Sequence, residues 1–246
     1  NQGMNLQNKT ILVVGGAAGI GQATAQLCAE RGAKVIVADF NATDGTATAQ
    51  ALNGSFVQVD VTDEASVQAM CRQIEQSHGK LDGLIQTAGI LKGAYVSIEA
   101  LDLATFRQVL DVNTVGSFLC AKYAVPLLKR GQLPVIILIS SPAAYGVSSS
   151  YAYAVSKGGV SALGTTMAGK LAPEGIRVNV VFPGGINTYM KRSVIEADAT
   201  RHGQDPQAAV EAAVQSGLGE PIGVAKVLAW LVSDEADYVR GSVSTR

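Results

Sequence analysis

Tyr153 and Lys157 lie four residues apart in the stretch Ser-Tyr-Ala-Tyr-Ala-Val-Ser-Lys-Gly-Gly. On a helix, residues at positions i and i+4 share a face, so this spacing brings a phenol and an ammonium group together. A free tyrosine has a pKa of about 10, and a positive charge nearby favours the phenolate and lowers that pKa. Of the seven tyrosines, only Tyr153 has a lysine four residues further on. The pair is a candidate for proton transfer, and the alternative is an ordinary helix-surface contact.

A glycine-rich segment follows an apolar run near the start of the chain. Residues 11–14 read Ile-Leu-Val-Val, residues 15–21 read Gly-Gly-Ala-Ala-Gly-Ile-Gly, and an Ala/Gln/Leu-rich stretch to Glu30 predicts a helix. A strand, a glycine loop and a helix N-terminus offer backbone N–H groups to a pyrophosphate, which approaches closely because glycine has no Cβ. The spacing is GxxxGxG and not the standard GxGxxG, so the segment alone is weak evidence for nucleotide binding.

An acidic residue ends the second predicted strand. Residues 35–38 (Val-Ile-Val-Ala) lead directly into Asp39. A carboxylate there can accept hydrogen bonds from both hydroxyls of an adenine ribose, and it would repel a 2′-phosphate. Neither Ala18 nor Phe40 offers a cation to such a phosphate. We therefore expect NAD(H) and not NADP(H) as the cofactor, the alternative being a strand-end aspartate that starts the turn into Asn41.

Apolar runs alternate with helical patterns along the whole chain. Further strands are predicted at 56–59, 84–86, 135–139 and 178–181 and near Ser242-Val243, with helices near 43–52, 64–77, 103–129, 151–172 and 222–233. This alternation predicts a parallel, doubly wound α/β sheet with right-handed crossovers. Ligands bind beyond the carboxyl ends of the strands in such sheets, and the candidate residues follow strands or lie on the next helix. The sequence therefore predicts a single site.

Composition fits one α/β domain spanning 1–246 and argues against several other classes of protein. The chain is 48% hydrophobic and 16% charged, which suits a sheet covered on both faces. A formal charge of −1 gives no support for binding nucleic acid or a membrane surface. Three cysteines within helical patterns indicate buried or half-buried free thiols and not a disulfide framework, and two histidines without a CxxC pair argue against a metal site. No signal peptide is recognisable, so we expect a cytoplasmic protein.

Taken together, these motifs resemble those of the short-chain dehydrogenases/reductases, from about residue 8 to the end of the chain. The parts occur in family order: the glycine loop at 15–21, Asp39, Asp60-Val61, Gln86-Thr87-Ala88-Gly89, Asn113, Ser140-Ser141, the Tyr153/Lys157 pair and Pro183-Gly184-Gly185-Ile186-Asn187-Thr188. Val14 and Gln86-Thr87 stand where the family usually has Thr and Asn-Asn, and we interpret both as local structural variation. The resemblance implies a Rossmann-like sheet of about seven strands in the order 3-2-1-4-5-6-7.

The resemblance also implies an oxidoreductase that transfers hydride between NAD(H) and a secondary alcohol or ketone. Tyr153 would be the general acid/base, and Lys157 would lower its pKa and bind the nicotinamide ribose. Asn113 would bend its helix and seat a water that links Lys157 to solvent; the alternative is an asparagine with only a local backbone bond.

The catalytic serine has two candidates. Counting thirteen residues back from the tyrosine gives Ser140, whereas the strand-end pattern and the count from Asn113 give Ser141. We favour Ser141, because the loop at 142–150 can lose a residue more easily than a helix and a strand can.

Cofactor and substrate residues are implied in the same way. The cofactor set is Gly15, Ala18, Gly19, Ile20, Asp39, Phe40, Asp60, Val61, Ala88, Gly89, Tyr153, Lys157, Pro183, Gly184, Ile186 and Thr188. The substrate set is Ser141, Leu91, Tyr145, Val147, Tyr189 and Met190, which suggests a mostly apolar alcohol or ketone. The polar stretch at 187–217, interrupted at His202-Gly203 and Asp205-Pro206, is predicted as a substrate lid, the alternative being a solvent-exposed helical excursion.

The last predictions concern the oligomeric state and two alternative functions. Family members commonly form homotetramers through two long helices, here 103–129 and 151–172, although the small residues of the second would equally suit packing on the sheet. One alternative function is an NADPH-dependent 3-oxoacyl-[acyl-carrier-protein] reductase, against which Asp39 argues. The other is a non-catalytic NAD(H)-sensing regulator, against which the intact Ser/Tyr/Lys/Asn set argues.

Overall fold

A computed structural model describes residues 4–245 and contains one parallel sheet of seven strands. The strands are β1 (Thr10–Val14), β2 (Lys34–Asp39), β3 (Ser55–Gln58), β4 (Gly83–Gln86), β5 (Val135–Ile139), β6 (Arg177–Phe182) and β7 (Gly241–Ser244). Their order is β3-β2-β1-β4-β5-β6-β7, which confirms the predicted topology. The chain order reverses between β1 and β4, and the crevice above this switch point is where such sheets bind ligands.

Helices cover both faces of this sheet. They are α1 (Gly19–Glu30), α2 (Ala42–Ala51), α3 (Glu64–His78), α4 (Leu103–Leu110), α5 (Gly116–Leu128), α6 (Tyr151–Leu171), α7 (Tyr189–Arg201), α8 (Pro206–Gln215) and α9 (Pro221–Val232). Alternate strand residues point to opposite faces. On one face Leu12 and Ile136 pack with α3, α5 and α6, and on the other Ile11 and Ile137 pack with α1 and α9. Both faces are therefore buried, as the long apolar strands require.

The prediction of one continuous helix at 103–129 is wrong in one respect. The helix is interrupted by a π-helical turn at Asp111–Val115, between α4 and α5. Π-turns widen the backbone locally, and they recur at functional sites. Two side-chain constraints act here: Asn113 bonds outward to the chain after β4, and Gly116 sits against Val61, where a Cβ would come within 2.8 Å of a Val61 methyl.

The segment predicted as a lid forms a pair of helices. α7 and α8 are joined by a turn at 202–205, and their two ends meet in a bridge between Ile186 and Gly219. The Asn187 N–H donates to the Gly219 carbonyl over 2.7 Å, and the Gly219 N–H donates to the Gly185 carbonyl over 2.8 Å. The excursion therefore leaves and rejoins the sheet region at one narrow base.

The three cysteines are buried and unpaired, as predicted, in α1, α3 and α5. Burial raises the pKa of Cys28 and of Cys71 to about 12, so these thiols stay protonated. Within the described part of the chain, no helix is both long and apolar enough to span a bilayer.

Candidate active site

A cleft of about 1070 Å³ opens at the carboxyl ends of the strands. It is lined by all sixteen residues of the predicted cofactor set, which come from the chain after β1, β2, β3, β4 and β6 and from α6. Ser141, Leu91, Val147, Tyr189 and Met190 of the predicted substrate set line it as well. The topology therefore brings residues from separate parts of the sequence to one edge of the sheet.

The glycine loop turns directly from β1 into α1. Gly15 has φ +80°, and a Cβ there would lie 2.5 Å from the Ala88 nitrogen. A Cβ on Gly21 would lie 2.1 Å from the Gly15 carbonyl oxygen, so both positions exclude a side chain. Gly19 has φ +55°, and a Cβ there would meet only Thr188, at 3.6 Å, so this glycine faces the cleft. The GxxxGxG spacing thus leaves a narrow cradle beside the N-terminus of α1.

Asp39 is fixed at the end of β2 by two backbone hydrogen bonds. One carboxylate oxygen accepts from the Ala17 N–H at 3.0 Å, and the other accepts from the Asn41 N–H at 2.9 Å. The carboxylate is half-buried and lines the cleft, so its remaining lone pairs face the ligand space. Its neighbours Ala18 and Phe40 also line the cleft, and Phe40 is 70% exposed. The arrangement offers hydrogen-bond acceptors and negative charge at this end.

Tyr153 and Lys157 lie on the first turns of α6, where both line the cleft. Ser150 caps the N-terminus of this helix, and its side chain accepts the Tyr153 N–H. The Lys157 ammonium lies 5.6 Å from the centre of the Tyr153 ring and donates to the Ile139 carbonyl at 2.8 Å. The helical spacing therefore does bring the two groups together.

The acidities of this pair differ from the sequence-based prediction. Burial raises the pKa of Tyr153 above its ordinary value, and the hydrogen bond with Ser141 offsets this only in part. Burial also lowers the pKa of Lys157 to about 8. The Tyr153 pKa is therefore raised in this structure and not lowered as predicted, because burial removes the phenolate from water.

The two candidate serines have different surroundings. The Ser141 hydroxyl is hydrogen-bonded to the Tyr153 hydroxyl and accepts the Ala143 N–H at 3.2 Å. Ser140 is buried, and its hydroxyl donates to the Lys157 carbonyl at 2.9 Å and lies 2.8 Å from the Ser161 hydroxyl. This arrangement supports Ser141 as the residue next to the reacting groups, with Ser140 anchoring α6 to β5.

Asn113 lies behind the cleft, in the π-turn, and is almost fully buried. Its side-chain amide donates to the Ile90 carbonyl and to the Ser156 hydroxyl, both at 2.9 Å, and its oxygen accepts the Ile90 N–H at 2.8 Å. These contacts join the chain after β4 to α6. They are long-range, so the alternative of a local helix bond does not apply.

The substrate end of the cleft has apolar walls and an exposed rim. Leu91 and Met190 are half-buried, whereas Val147 is fully exposed and Tyr189 is 87% exposed. Tyr145 was predicted to line this pocket and does not: it follows a short 3₁₀ turn at Pro142–Ala144 and packs against Phe182, with ring centres 5.5 Å apart.

Sequence reasoning missed one wall of the cleft. Ala104, Arg107, Gln108 and Asp111 of α4 and its continuation line the cleft, as do Lys92 and Lys191. The Lys92 ammonium donates to the Gln108 side chain at 2.9 Å. The helical spacing of 104, 108 and 111 could have indicated a shared face, but nothing in their residue types pointed to a ligand.

The cleft suits a nicotinamide dinucleotide by its shape and by its donors. Gly15 and Gly21 let the loop pack tightly, Gly19 leaves space open to the cleft, and the resulting cradle lies at a helix N-terminus that favours a pyrophosphate. Asp39 lies to one side of this cradle, and the Tyr153/Lys157 pair lies to the other. A long ligand with a central diphosphate fits this order of groups.

Comparison with known proteins agrees with this geometry. The sequence family described as "Enoyl-(Acyl carrier protein) reductase" matches residues 15–245. The chain is 35% identical over 243 residues to a 2,5-dichloro-2,5-cyclohexadiene-1,4-diol dehydrogenase of Sphingobium indicum, covering 97% of this chain and 95% of that protein. It is 34% identical to the cis-4-hydroxycyclohexanecarboxylate dehydrogenase of Sinomonas cyclohexanicum, covering 96% of this chain and 93% of that protein.

Solved structures show the same similarity. The aldohexose dehydrogenase of Thermoplasma acidophilum superposes with a TM-score of 0.87 at 30% identity, covering 99% of this chain and 94% of that one. Levodione reductase superposes with a TM-score of 0.87 at 28% identity, covering 98% of this chain and 96% of that one. The chain therefore belongs to the short-chain dehydrogenase/reductase family.

Proposed function

We propose that this protein is an NAD(H)-dependent oxidoreductase that interconverts a secondary alcohol and its ketone. The observation that carries the proposal is the placement of Ser141, Tyr153 and Lys157 in one cleft with the glycine cradle. When bound, the nicotinamide dinucleotide supplies the hydride acceptor or donor. The protein has to hold that group, orient the alcohol carbon and handle one proton.

The protein's own chemistry centres on the substrate oxygen. In oxidation, the Tyr153 phenolate accepts the proton of the substrate hydroxyl; in reduction, the Tyr153 phenol returns that proton to the developing alkoxide. The Ser141 hydroxyl, bonded to the phenol, is placed to hold the same oxygen and to share its negative charge. The role of Asn113 in seating a water beside Lys157 stays a prediction.

The raised pKa of Tyr153 bears on direction. A phenol that stays protonated at neutral pH is ready to act as an acid, which favours ketone reduction. Alcohol oxidation needs the phenolate, so its rate should increase with pH. The enzyme is therefore expected to reduce ketones best near neutral pH and to oxidise alcohols best at alkaline pH.

Cofactor choice is proposed to rest on Asp39. Its carboxylate is held by Ala17 and Asn41, and it lines the cleft beside Ala18 and Phe40, which carry no positive charge. Ribose hydroxyls can donate to that carboxylate, whereas a 2′-phosphate would face it unneutralised. This supports NAD(H) over NADP(H).

The substrate is proposed to be a cyclic, mainly apolar secondary alcohol or the corresponding ketone. Leu91, Val147 and Met190 form apolar surface beside the catalytic groups, and Tyr189 adds a ring at the rim. The two dehydrogenase relatives are named for a cyclic diol and a cyclic hydroxy acid. We further propose that residues 187–217 act as the substrate lid of one catalytic domain, because α7 contributes Tyr189, Met190 and Val194 to the cleft.

A homotetramer is proposed from the outer surface of α4, α5 and α6. Four apolar residues there are exposed by 40–52%: Val115, Phe118, Tyr151 and Val155. The small residues of α6 do not all serve this surface, because a Cβ at Gly164 would lie 2.2 Å from Val180, and one at Gly159 would lie 2.8 Å from Thr114. Sedimentation velocity tests this surface by comparing the parent, expected to be a tetramer, with Phe118→Asp, expected to be a smaller species. A parent that sediments as a monomer would exclude the proposed tetramer.

A binding titration followed by a turnover assay tests the proposed function. The purified protein is titrated with NADH and NADPH by fluorescence, and NAD-dependent oxidation is then measured with cyclohexanol, cis-4-hydroxycyclohexanecarboxylate and a linear 2-alkanol. We expect NADH to bind at least tenfold more tightly than NADPH, and the cyclic alcohols to be oxidised. Preferred NADPH binding would favour the acyl-carrier-protein reductase alternative, and NADH binding without any turnover would favour the sensing role.

A further inference from the structure

The α7–α8 pair meets the rest of the molecule at a point far from its base. Among residues 4–245, every hydrogen bond and ion pair of residues 189–216 stays within the segment 186–219. A ring contact leaves the segment: the Arg201 guanidinium carbon lies 4.6 Å from the centre of the Tyr95 ring. Arg201 is the last residue of α7, so this contact is at the opposite end of that helix from Tyr189.

Both partners of this contact are held in place. Arg201 donates to the Asp198 carboxylate at 2.8 Å, which orients the guanidinium within α7. Tyr95 has φ +62°, in the left-handed region that few non-glycine residues adopt. Its N–H donates to the Ser149 carbonyl at 2.7 Å, so the strained backbone is secured to another loop.

The loop that carries Tyr95 also belongs to the catalytic wall. Leu91 and Lys92 precede Tyr95 and line the cleft, as does Ser149. The Ser150 hydroxyl donates to the Lys92 carbonyl at 2.6 Å, and the same hydroxyl accepts the Tyr153 N–H. Tyr95 therefore stands on a loop that is tied directly to the first turn of the catalytic helix.

We propose that stacking of Arg201 on Tyr95 is a latch that holds α7 and α8 over the substrate end of the cleft. The inference rests on the lid proposed above. One wall of that end is α7, the other is formed by residues 90–92 and 147–149, and the latch joins α7 to the loop that continues from residues 90–92 to Tyr95. The segment is hinged at Ile186 and Gly219, so breaking the latch frees its far end and leaves its base in place. Tyr95 and Arg201 are thus positioning residues for the substrate.

The cofactor end of the cleft should not depend on this latch. Thr188, at the base of α7, lies beside Gly19, and Asp39 and the glycine loop are anchored within the sheet region. Loss of the latch is therefore expected to weaken substrate retention without changing NADH affinity.

Hydrogen exchange and kinetics of matched variants test the latch. Arg201→Ala and Tyr95→Ala each remove the stacking, and Tyr95→Phe is the control because it keeps the ring. In the NADH complex, amides of α7 should exchange roughly three- to tenfold faster in both alanine variants and at the parent rate in Tyr95→Phe. The KM for cyclohexanol should rise by a similar factor, with kcat changed less than twofold and the Kd of NADH unchanged.

A double variant separates a latch from two independent effects. Tyr95→Ala/Arg201→Ala should exchange no faster than either single variant, because the contact is lost once. Additive acceleration, unchanged exchange in Arg201→Ala, or an equal loss of NADH affinity would overturn the latch. The exchange measurement needs no turnover. The latch can therefore be refuted while the proposed reaction stands, and the proposed reaction can be refuted while the latch stands.

Discussion

Replacing Asp39 should change which dinucleotide the protein binds. Asp39→Ala removes the acceptor for the ribose hydroxyls and also the acceptor for the Ala17 N–H. Hydrogen bonds to a charged group contribute roughly 1.5–3 kcal/mol each. Because water replaces part of the lost hydrogen bonding, we expect the binding free energy of NADH to weaken by about 2–3 kcal/mol. This corresponds to a Kd for NADH that is raised roughly 30- to 150-fold.

The same substitution should help NADPH. A 2′-phosphate about 5 Å from the carboxylate would be repelled by roughly 3 kcal/mol per unit charge at an effective dielectric constant of about 20. Removal of that repulsion offsets the lost hydrogen bonds, so the Kd for NADPH should stay level or fall. The ratio of the two Kd values should therefore shift by on the order of a hundredfold, and Asp39→Ala/Phe40→Arg should shift it further, because Phe40 lines the same end of the cleft.

Fluorescence titration with both dinucleotides measures these ratios, with two controls. Asp39→Asn keeps the side-chain shape and can still accept the Ala17 N–H, so it isolates the effect of the charge. Asp44→Asn changes another acid that lines the cleft but bonds to the Asn41 side chain, and it should leave the ratio nearly unchanged. A folded Asp39→Ala with the parent's NADH/NADPH ratio would refute the reasoning and leave Asp39 as a turn residue.

Three further predictions concern the catalytic wall. Ser141→Ala should lower kcat roughly a hundredfold and the unfolding free energy by less than about 1 kcal/mol, whereas Ser140→Ala should cost about 1–3 kcal/mol in urea unfolding. The reverse pattern would make Ser140 the catalytic serine. Asn113→Ala should also destabilise the fold by about 2–4 kcal/mol, since three buried hydrogen bonds are lost, and a change below 0.5 kcal/mol in urea unfolding would contradict it. The pKa of Lys157 is about 8 in the fold and 10.5 ordinarily, so between pH 8 and 10 the unfolded chain binds the extra proton and stability is gained as pH rises. The unfolding free energy of the parent minus that of Lys157→Met should thus grow by on the order of 2–3 kcal/mol over that range, and a flat difference would rule out the lowered pKa.

Much of this fold could be predicted because its signals are local. Apolar strand runs, glycine turns and helical periods recur in the order that a parallel sheet demands, and each cofactor residue lies at a strand's carboxyl end, in the chain after it or on the next helix. The resemblance implied a bend at Asn113, but helical periodicity alone did not predict the π-turn at Asp111–Val115, where Asn113 bonds to Ile90 and Ser156, which are remote in sequence. The same holds for the missed α4 wall of the cleft.

The predictions of the Tyr153 pKa and of Tyr145 as a pocket residue failed for a related reason. The spacing of Tyr153 and Lys157 predicts that the groups meet, but it does not show how deeply the phenol is buried, and burial sets the direction of its pKa. Tyr145 was predicted to line the pocket, yet it follows a 3₁₀ turn and packs against Phe182. Side-chain burial and loop direction are properties of the packed structure.

The most direct test of the account is Tyr153→Phe, assayed for NADH binding and for turnover of the same alcohol. The variant keeps the aromatic ring and loses only the hydroxyl that handles the proton. We predict a Kd for NADH within about twofold of the parent and a kcat lowered by at least roughly a thousandfold, in line with the loss of general acid/base catalysis. Turnover near the parent rate with NADH bound normally would contradict the central claim that Tyr153 transfers the proton.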